Sequence, residues 1–131
     1  MVGHYLSLHS IIFLILKWCD TNVCGGIKGL ICPAYNASKA AVIQLARNLA
    51  SEWGEHNIRV NTISPGYIYT AMTKNLFEEF PERKVNWPRD NMLNRVSYPE
   101  EYRGAGVFLV SDASSFMTGS DLRIDGGHCA W

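Results

Sequence analysis

Apolar residues between positions 33 and 53 recur at steps of three and four, and this spacing predicts an α-helix with one face on a core. Pro33 suits the first turn of such a helix, where its missing N–H is not needed. Gly54 follows the last periodic position and predicts a left-handed residue that ends the helix. The predicted stripe consists of Val42, Leu45, Ala46, Leu49 and Trp53, with the remaining alanines on other faces.

Two further apolar runs predict parallel strands. Ile11–Leu16 is uninterrupted, which is typical of a strand covered on both faces. Ile58–Ile63 is rich in β-branched residues, and Pro65-Gly66 predicts that the strand has ended. The first run sits within Leu6–Trp18, for which a membrane anchor is the alternative, although it falls short of the ~20 residues that a spanning helix needs. We therefore favour the strand.

The remainder of the chain predicts shorter elements. Met72–Arg95 mixes aromatic and charged residues without one period, which indicates short helices in a mobile loop. Its aromatic residues either line a pocket or fill a local core, and the pattern leaves both open. Pro99 and the two glutamates after it favour the start of a helix that runs to Asp112. Asp121–Asp125 predicts a final strand, with Asp125 ordering the turn that follows it.

Composition limits the classes of protein that fit. A chain of 131 residues, 47% hydrophobic, forms one packed domain. Its 12 basic and 12 acidic residues give a net charge of +0, so we expect no nucleic-acid partner and no membrane-surface patch. The spacing of the cysteines favours reduced thiols in a cytoplasmic protein, and together with the histidines it matches no zinc pattern. These residues are His4, His9, Cys19, Cys24, Cys32 and Cys129.

Tyr35 and Lys39 are the candidate reactive pair. Four residues apart on a helix, they share a face. An ammonium beside a phenol favours the phenolate and lowers the tyrosine pKa from about 10. Such a tyrosine can give and take a proton in carbonyl and alcohol chemistry. The same spacing also arises by chance, with the tyrosine in a core and the lysine in solvent.

Four segments in fixed order distinguish these alternatives, and together they resemble the C-terminal half of the short-chain dehydrogenases/reductases. The residues around Tyr35 to Met72 are similar to the branch that acts on polyols and ketoses. The resemblance implies an α/β fold, namely a partial Rossmann-like, doubly wound parallel sheet at its C-terminal edge, with about three strands and flanking helices. The four segments are Tyr35–Ala41, Asn57–Asn61, Ser64–Thr70 and Thr118–Gly127.

The resemblance also assigns roles to residues. It implies that Tyr35 is the general acid/base and that Lys39 lowers its pKa and binds the cofactor ribose. The loop after the second strand would hold the nicotinamide of NADP or NAD, with NADP slightly preferred; a plain strand-end turn is the alternative. The expected cofactor-binding residues are Tyr35, Lys39, Pro65, Gly66, Ile68 and Thr70. A small carbonyl or alcohol substrate, a lid formed by residues 72–95 and self-association through the Tyr35–Trp53 helix are also implied.

Two parts of the family pattern do not occur in this sequence. No glycine-rich turn for a pyrophosphate is found, and the asparagine motif of a central strand is absent. The catalytic serine position falls near Asn22, with Thr21 or Cys24 as stand-ins. We therefore divide the chain into an atypical segment, 1–32, and the C-terminal half of the family domain, 33–131. The expected function is NAD(P)-dependent oxidoreduction of a polyol or ketose, impaired in the chain as it stands. The alternative is a non-catalytic fragment or an oligomerising partner of a full-length homologue.

Overall fold

A three-stranded parallel sheet forms the centre of the fold. The structure, a computed structural model, describes residues 11–15 and 33–130. The strands lie in the order β1 (Ile11–Ile15), β2 (Arg59–Pro65) and β3 (Asp121–Ile124). β1 pairs with β2 from Ile11↔Arg59 to Ile15↔Ile63, and β3 pairs with β2 from Thr62↔Asp121 to Pro65↔Ile124. The predicted α/β fold with about three strands is confirmed.

Helix α1 (Pro33–Trp53) begins at the predicted proline and packs on β2. Its buried face centres on Ile43, Ala46 and Ala50. The predicted stripe was therefore partly wrong, since Leu45 is 49% exposed and Ala50 belongs to the core. Alanine is favoured at this contact because its small side chain lets the helix backbone approach the sheet closely.

The turn between α1 and β2 is made by Asn57 and not, as predicted, by a left-handed Gly54. Gly54 begins a short 3-10 turn, and Asn57 takes the left-handed conformation with φ of 59°. Asn57 N donates to Gly54 O at 3.0 Å, and Ile58 N donates to Trp53 O at 3.2 Å. Asparagine tolerates this conformation because its short polar side chain bonds locally. The chain therefore reverses direction within a few residues.

Strand β2 is buried along its whole length and continues two residues past the predicted end at Ile63. Thr62 N and Gly66 N donate to carbonyls at 2.9 and 3.0 Å on the β3 side, so the N–H groups of odd-numbered residues face β1. Among the described residues, the pairing of β1 with β2 ends at Ile63. Pro65 therefore extends the strand at a position where no described residue of β1 faces its missing N–H.

Short helices follow β2, as predicted. They are α2 (Ala71–Glu79), α3 (Pro81–Arg89) and α4 (Arg103–Val110), and a 3-10 turn at Pro99–Tyr102 precedes α4. Pro81 occupies the first turn of α3, where a proline is well tolerated. The predicted mobility of this region stays a prediction.

The aromatic residues of this region form a local core. Tyr67, Phe77 and Trp87 are all buried, with Leu76 and Val96 packed against them. The rings of Tyr67 and Trp87 stack with centroids 4.3 Å apart, and Phe77 meets Trp87 edge-on at 5.3 Å. Of the two alternatives for Phe77 and Trp87, the local core is therefore the correct one.

Buried polar residues join the sheet to its connections. Arg59, 6% exposed, donates to the carbonyls of Leu109, Ser111 and Met117 at 2.8, 3.4 and 3.1 Å. A cation at this position satisfies carbonyls at the end of α4 and complements the helix dipole. On the β2–β3 side, one oxygen of Asp121 accepts hydrogen bonds from the hydroxyls of Thr62 and Ser64 at 2.6 and 2.7 Å.

The remaining sequence expectations concern cysteines, metals and membranes. Cys129 is disulfide-bonded, so the prediction of reduced thiols was wrong at this position. His4, His9 and the other three cysteines lie outside the described residues, as does most of Leu6–Trp18. In the described ranges, no helix combines the length and the hydropathy that crossing a bilayer requires.

Candidate active site

Tyr35 and Lys39 lie side by side in the first turns of α1. The Lys39 Nζ is 5.4 Å from the centroid of the Tyr35 ring, and both side chains are half-buried. Ser38, between them in sequence, donates its hydroxyl to the Tyr35 carbonyl at 2.7 Å. The predicted shared face is therefore confirmed, and an ammonium at this distance is attracted to the electron-rich ring face.

The packing of α1 determines where this pair lies on the sheet. Ala46 and Ala50, in the second half of α1, contact Val60 at the start of β2. Because the chain reverses at Asn57, α1 runs antiparallel to β2, and its first turns point toward the carboxyl end of that strand. In open parallel sheets, ligands bind at this edge.

The loop 65–70 leaves the same edge and is held by its backbone. Ser97 N donates to Tyr67 O at 2.9 Å, and Tyr69 N donates to Ser97 O at 2.8 Å. At Gly66, a Cβ atom would stand 2.9 Å from both the Cα and the carbonyl oxygen of Asp125. Only glycine permits this approach, so Gly66 is required for packing whatever else it contacts.

Ile68 presents an available amide in this loop. Its carbonyl accepts a hydrogen bond from the Thr73 hydroxyl at 2.9 Å. Its N–H has no acceptor among the described residues, although the backbone on either side is bonded. The sequence singled out Ile68 but missed Thr73, which is 2% exposed and holds the peptide between Ile68 and Tyr69. The preceding peptide, which carries the Ile68 N–H, is held through the Tyr67 carbonyl by Ser97 N.

Thr70 and Thr73 form a reciprocal cap at the start of α2. Thr70 N donates to Thr73 Oγ1 at 2.7 Å, and Thr73 N donates to Thr70 Oγ1 at 3.3 Å. A threonine at the N-cap with a second threonine three residues later is the sequence signal that could have identified Thr73. The Thr70 hydroxyl accepts a bond here and also lies 3.4 Å from Thr73 Oγ1, a long contact in which either atom could be the donor.

Tyr67 differs chemically from Tyr35. Burial, together with the Asp90 carboxylate 3.3 Å from its hydroxyl, raises the pKa of Tyr67 well above the usual range. A phenol in this environment keeps its proton at neutral pH. Tyr67 therefore stabilises the aromatic core, since burial and Asp90 outweigh the opposing effect of Arg83 on its pKa.

Comparison with known proteins agrees with the fold and the motifs. The chain belongs to the short-chain dehydrogenase/reductase family, because the family profile described as "Enoyl-(Acyl carrier protein) reductase" matches residues 23–128. It is 51% identical over 111 residues to "Short chain dehydrogenases/reductase notP'" of Aspergillus versicolor, covering 82% of this chain and 38% of that protein. It is 49% identical over 98 residues to D-arabinitol 2-dehydrogenase (ribulose-forming) of Candida tropicalis, covering 74% and 35%.

Solved structures give the same result. A structure titled "4-hydroxyisoleucine dehydrogenase complexed with NADH" superimposes with a TM-score of 0.78 at 34% identity, covering 94% of this chain and 48% of that chain. A short-chain type dehydrogenase/reductase from Mycobacterium marinum has a TM-score of 0.71 at 38% identity, covering 88% and 44%. The chain thus spans less than half the length of each relative named here. The family and the partial Rossmann-like fold predicted from the motifs are confirmed.

The structure thus groups the predicted site residues in two places at one edge of the sheet. Tyr35 and Lys39 are together on α1, while Pro65, Gly66, Ile68 and Thr70 share one loop. The stand-ins for the catalytic serine, Thr21 and Cys24, lie outside the described residues. The roles of all these residues stay predictions.

Proposed function

We propose that this chain carries the proton-transfer and nicotinamide-binding half of an NAD(P)-dependent oxidoreductase acting on a secondary alcohol or ketone. The observation that carries the proposal is the Lys39 ammonium 5.4 Å from the Tyr35 ring centroid, in the first turns of a helix directed to the ligand-binding edge of the sheet. If the spacing of Tyr35 and Lys39 had arisen by chance, the pair would not need to lie at the end of the helix that points to this edge.

A polyol or ketose is the proposed substrate class. D-arabinitol 2-dehydrogenase of Candida tropicalis shares 49% identity, and two other relatives are named for related sugars. The NADH-dependent L-xylulose reductase of Ambrosiozyma monospora is 47% identical over 98 residues. Sorbose reductase of Schizosaccharomyces pombe is 47% identical over 97 residues. All three names refer to an interconversion of a ketone and a secondary alcohol, which suits a tyrosine acid.

The described loop suits a nicotinamide cofactor, NADP or NAD. The available N–H of Ile68 matches the need of a carboxamide oxygen for a donor. The Thr70 hydroxyl would be a second donor, exchanging its long 3.4 Å contact with Thr73 Oγ1 for a bond to the cofactor. Pro65 and Gly66 would set the loop backbone beside the ring, while Tyr35 and Lys39 would contact the ribose. When bound, the cofactor supplies or accepts the hydride.

In the reductive direction, Tyr35 donates its phenolic proton to the substrate carbonyl oxygen. In the oxidative direction, the same phenolate removes the hydroxyl proton. Lys39 would favour the phenolate because its charge lies close to the ring. The half-buried setting of both groups strengthens this interaction relative to bulk water.

The chain alone is proposed to be impaired, because its sequence contains no glycine-rich turn for the pyrophosphate. Residues 33–131 are therefore best tested in a chimera with the N-terminal half of a full-length polyol dehydrogenase. The chimera is expected to reduce D-ribulose, L-xylulose or L-sorbose with NADPH or NADH. The chain alone is expected to bind either cofactor only at millimolar concentration or weaker, on the order of 1 mM.

Substitutions in the chimera separate the two roles. Tyr35→Phe is expected to lower kcat by about 10²–10⁴-fold and to leave cofactor affinity nearly unchanged, since only the proton is lost. Lys39→Ala is expected to lower both kcat and the affinity for the cofactor. Lys39→Arg is expected to recover little of either, because a planar guanidinium does not replace a compact ammonium. The exposed Tyr98→Phe serves as the matched control. Substantial turnover by Tyr35→Phe in an active chimera would rule out Tyr35 as the acid.

A further inference from the structure

The Tyr67 carbonyl is held at two points by one residue, Ser97. Ser97 N donates to this oxygen at 2.9 Å, and the Ser97 hydroxyl donates to it at 2.8 Å. A carbonyl oxygen has two lone pairs, so both bonds form at once. The Ser97 carbonyl in turn accepts from Tyr69 N at 2.8 Å. Ser97 therefore holds the backbone on both sides of Ile68.

These bonds determine the direction of the Ile68 N–H. The peptide between Tyr67 and Ile68 is trans, and the C=O and N–H of a trans peptide point in opposite directions. Because Ser97 binds the carbonyl, the N–H points away from Ser97, where no described residue accepts its proton. A carbonyl that accepts two hydrogen bonds also polarises its peptide, so the N–H becomes a stronger donor.

Tyr102 adds a second hydroxyl to this contact. Its OH lies 2.6 Å from Ser97 Oγ and 3.3 Å from the Ile124 carbonyl. Bonds between a hydroxyl and an oxygen are ordinarily about 2.5–3.0 Å long. If Ser97 gives its single proton to Tyr67 O, Tyr102 is the donor in the 2.6 Å contact, and both bonds are short. The opposite order would depend on the long contact to Ile124. The favoured arrangement is therefore a chain of hydroxyls from Tyr102 through Ser97 to the Tyr67 carbonyl.

Tyr102 remains a proton donor at neutral pH. Burial of this half-buried residue raises the pKa of its hydroxyl above the ordinary value of 10.0. Both hydroxyls are spent on partners within the protein, so neither is left to bind a ligand directly. Their effect on a ligand has to pass through the peptide that they hold.

We propose that Ser97 is a positioning residue for the nicotinamide and that Tyr102 acts through it. The two hydroxyls hold and polarise the peptide between Tyr67 and Ile68, which makes the Ile68 N–H a directed and strengthened donor for the carboxamide oxygen. This inference rests on the proposed function, since the acceptor that it assigns to the N–H is the carboxamide of the bound cofactor.

The chain of hydroxyls is tested first by NMR on the full 131-residue chain without ligand. The carbonyl carbon of Tyr67 is followed, because hydrogen bonding moves such a signal downfield. Ser97→Ala is expected to move it upfield, and Tyr102→Phe to move it in the same direction by less. Ser97→Thr keeps the hydroxyl and should leave the signal close to its original position. An unchanged Tyr67 signal in Ser97→Ala would overturn the proposal.

Ser111→Ala is the matched control. Ser111 also donates twice to one carbonyl, that of Phe108, through its N–H at 3.2 Å and its hydroxyl at 2.9 Å. The substitution makes the same chemical change at the end of α4, so it should leave the signals of Tyr67 and Ile68 in place.

Cofactor binding then tests the role of the Ile68 N–H. NADH is titrated into the full chain while the Ile68 amide is followed, and so is its thionicotinamide analogue, in which a weakly accepting sulfur replaces the carboxamide oxygen. Ser97→Ala is expected to raise the dissociation constant of NADH roughly fivefold, and Tyr102→Phe roughly twofold. Neither variant should change the affinity for the analogue appreciably. A purely structural role would weaken both ligands equally, and that result would overturn the proposal.

The outcomes distinguish this inference from the proposed function. If NADH binds and Ser97→Ala binds it equally well, the positioning role is overturned and the proposed function stands. If neither NADH nor NADPH gives saturable shifts in the full chain or binds to the chimera, the proposed function is overturned and the role of Ser97 with it. If Ser97→Ala does not fold, Tyr102→Phe decides through the same comparison of the two ligands.

Discussion

Thr73 shows how one buried hydroxyl organises a loop. It bonds the Ile68 carbonyl, accepts from Thr70 N and caps α2, while remaining 2% exposed. The peptide between Ile68 and Tyr69 is thereby held by its carbonyl, directly after the peptide that carries the Ile68 N–H. A residue that touches no cofactor can thus determine how well the cofactor is held.

We expect Thr73→Val to raise the KM for NADH or NADPH in the chimera by about tenfold and to destabilise the fold by about 1–2 kcal/mol, since a cap and a loop bond are lost together. Thr73→Ser, which keeps the hydroxyl, should restore both. The measurements are cofactor KM, kcat and urea unfolding. A loss of stability without a change in KM would show that Thr73 acts only as a helix cap and does not influence cofactor binding.

At the scale of elements, Arg59 joins the start of β2 to the end of α4. Arg59→Met keeps the aliphatic stem but removes one hydrogen bond from each of three carbonyls, which keep their bonds to Ser114 or Asn61. We expect a loss of about 2–4 kcal/mol in the free energy of unfolding, because hydrogen bonds that involve a charged group contribute about 1.5–3 kcal/mol each. Arg47→Met, on the exposed side of α1, is the control and should stay within about 0.5 kcal/mol. Equal urea midpoints for the two variants would contradict this role.

The connection before α4 contains an acid-sensitive contact. The two-point bond from Arg95, with a further bond from Tyr98 N, lowers the pKa of the Glu101 carboxyl from its ordinary value of 4.5 to about 2. A depressed carboxyl pKa stabilises the fold above the unfolded value, and this contribution is lost as pH falls from about 4.5 to about 2. The pair is exposed, so salt screens it and the effect is small.

We therefore expect Glu101→Gln to melt below the unchanged chain at pH 6 and the two to converge near pH 2. Glutamine still accepts from Tyr98 N, so the comparison isolates the charge. Glu100→Gln is the matched control, since its contact to Arg103 is looser at 3.7 Å. Melting curves across pH 6 to 2 test this, and a gap that widens toward pH 2 would contradict it.

Sequence reasoning succeeded where one local pattern determines one element. The period of residues 33–53, the apolar run at 11–15 and the Pro65-Gly66 step each specified an element that the structure contains. It failed where contacts between distant parts of the chain determine the conformation or the burial of a residue. The left-handed residue is Asn57, whereas Gly54 was predicted. Leu45, predicted to be buried, is exposed, and Ala50, which was not part of the predicted stripe, is buried. Thr73 was missed although its spacing from Thr70 indicates a cap, because its bond to the Ile68 carbonyl depends on the path of the loop.

At the scale of the molecule, exposed apolar side chains favour association. Leu45 on α1 is 49% exposed, and β1 has one partner strand among the described residues. We propose that copies of the chain pair through α1, and we expect light scattering to detect oligomers. Leu45→Glu should shift the chain toward monomer, whereas Val85→Glu, on the similarly exposed α3, should not. A monomer at high concentration before any substitution would contradict the proposal.

The position of β2 in the sheet also affects the order in which its two sides can pair during synthesis. It lies between two strands that are distant in sequence, and its pairing residues Thr62 and Asp121 are 59 residues apart. During synthesis at about 5–20 residues per second, β2 therefore emerges roughly 3–12 s before its second neighbour. Throughout that interval one side of a strand that is fully buried in the finished fold has nothing to pair with, which makes a nascent chain of this protein a natural client for chaperones.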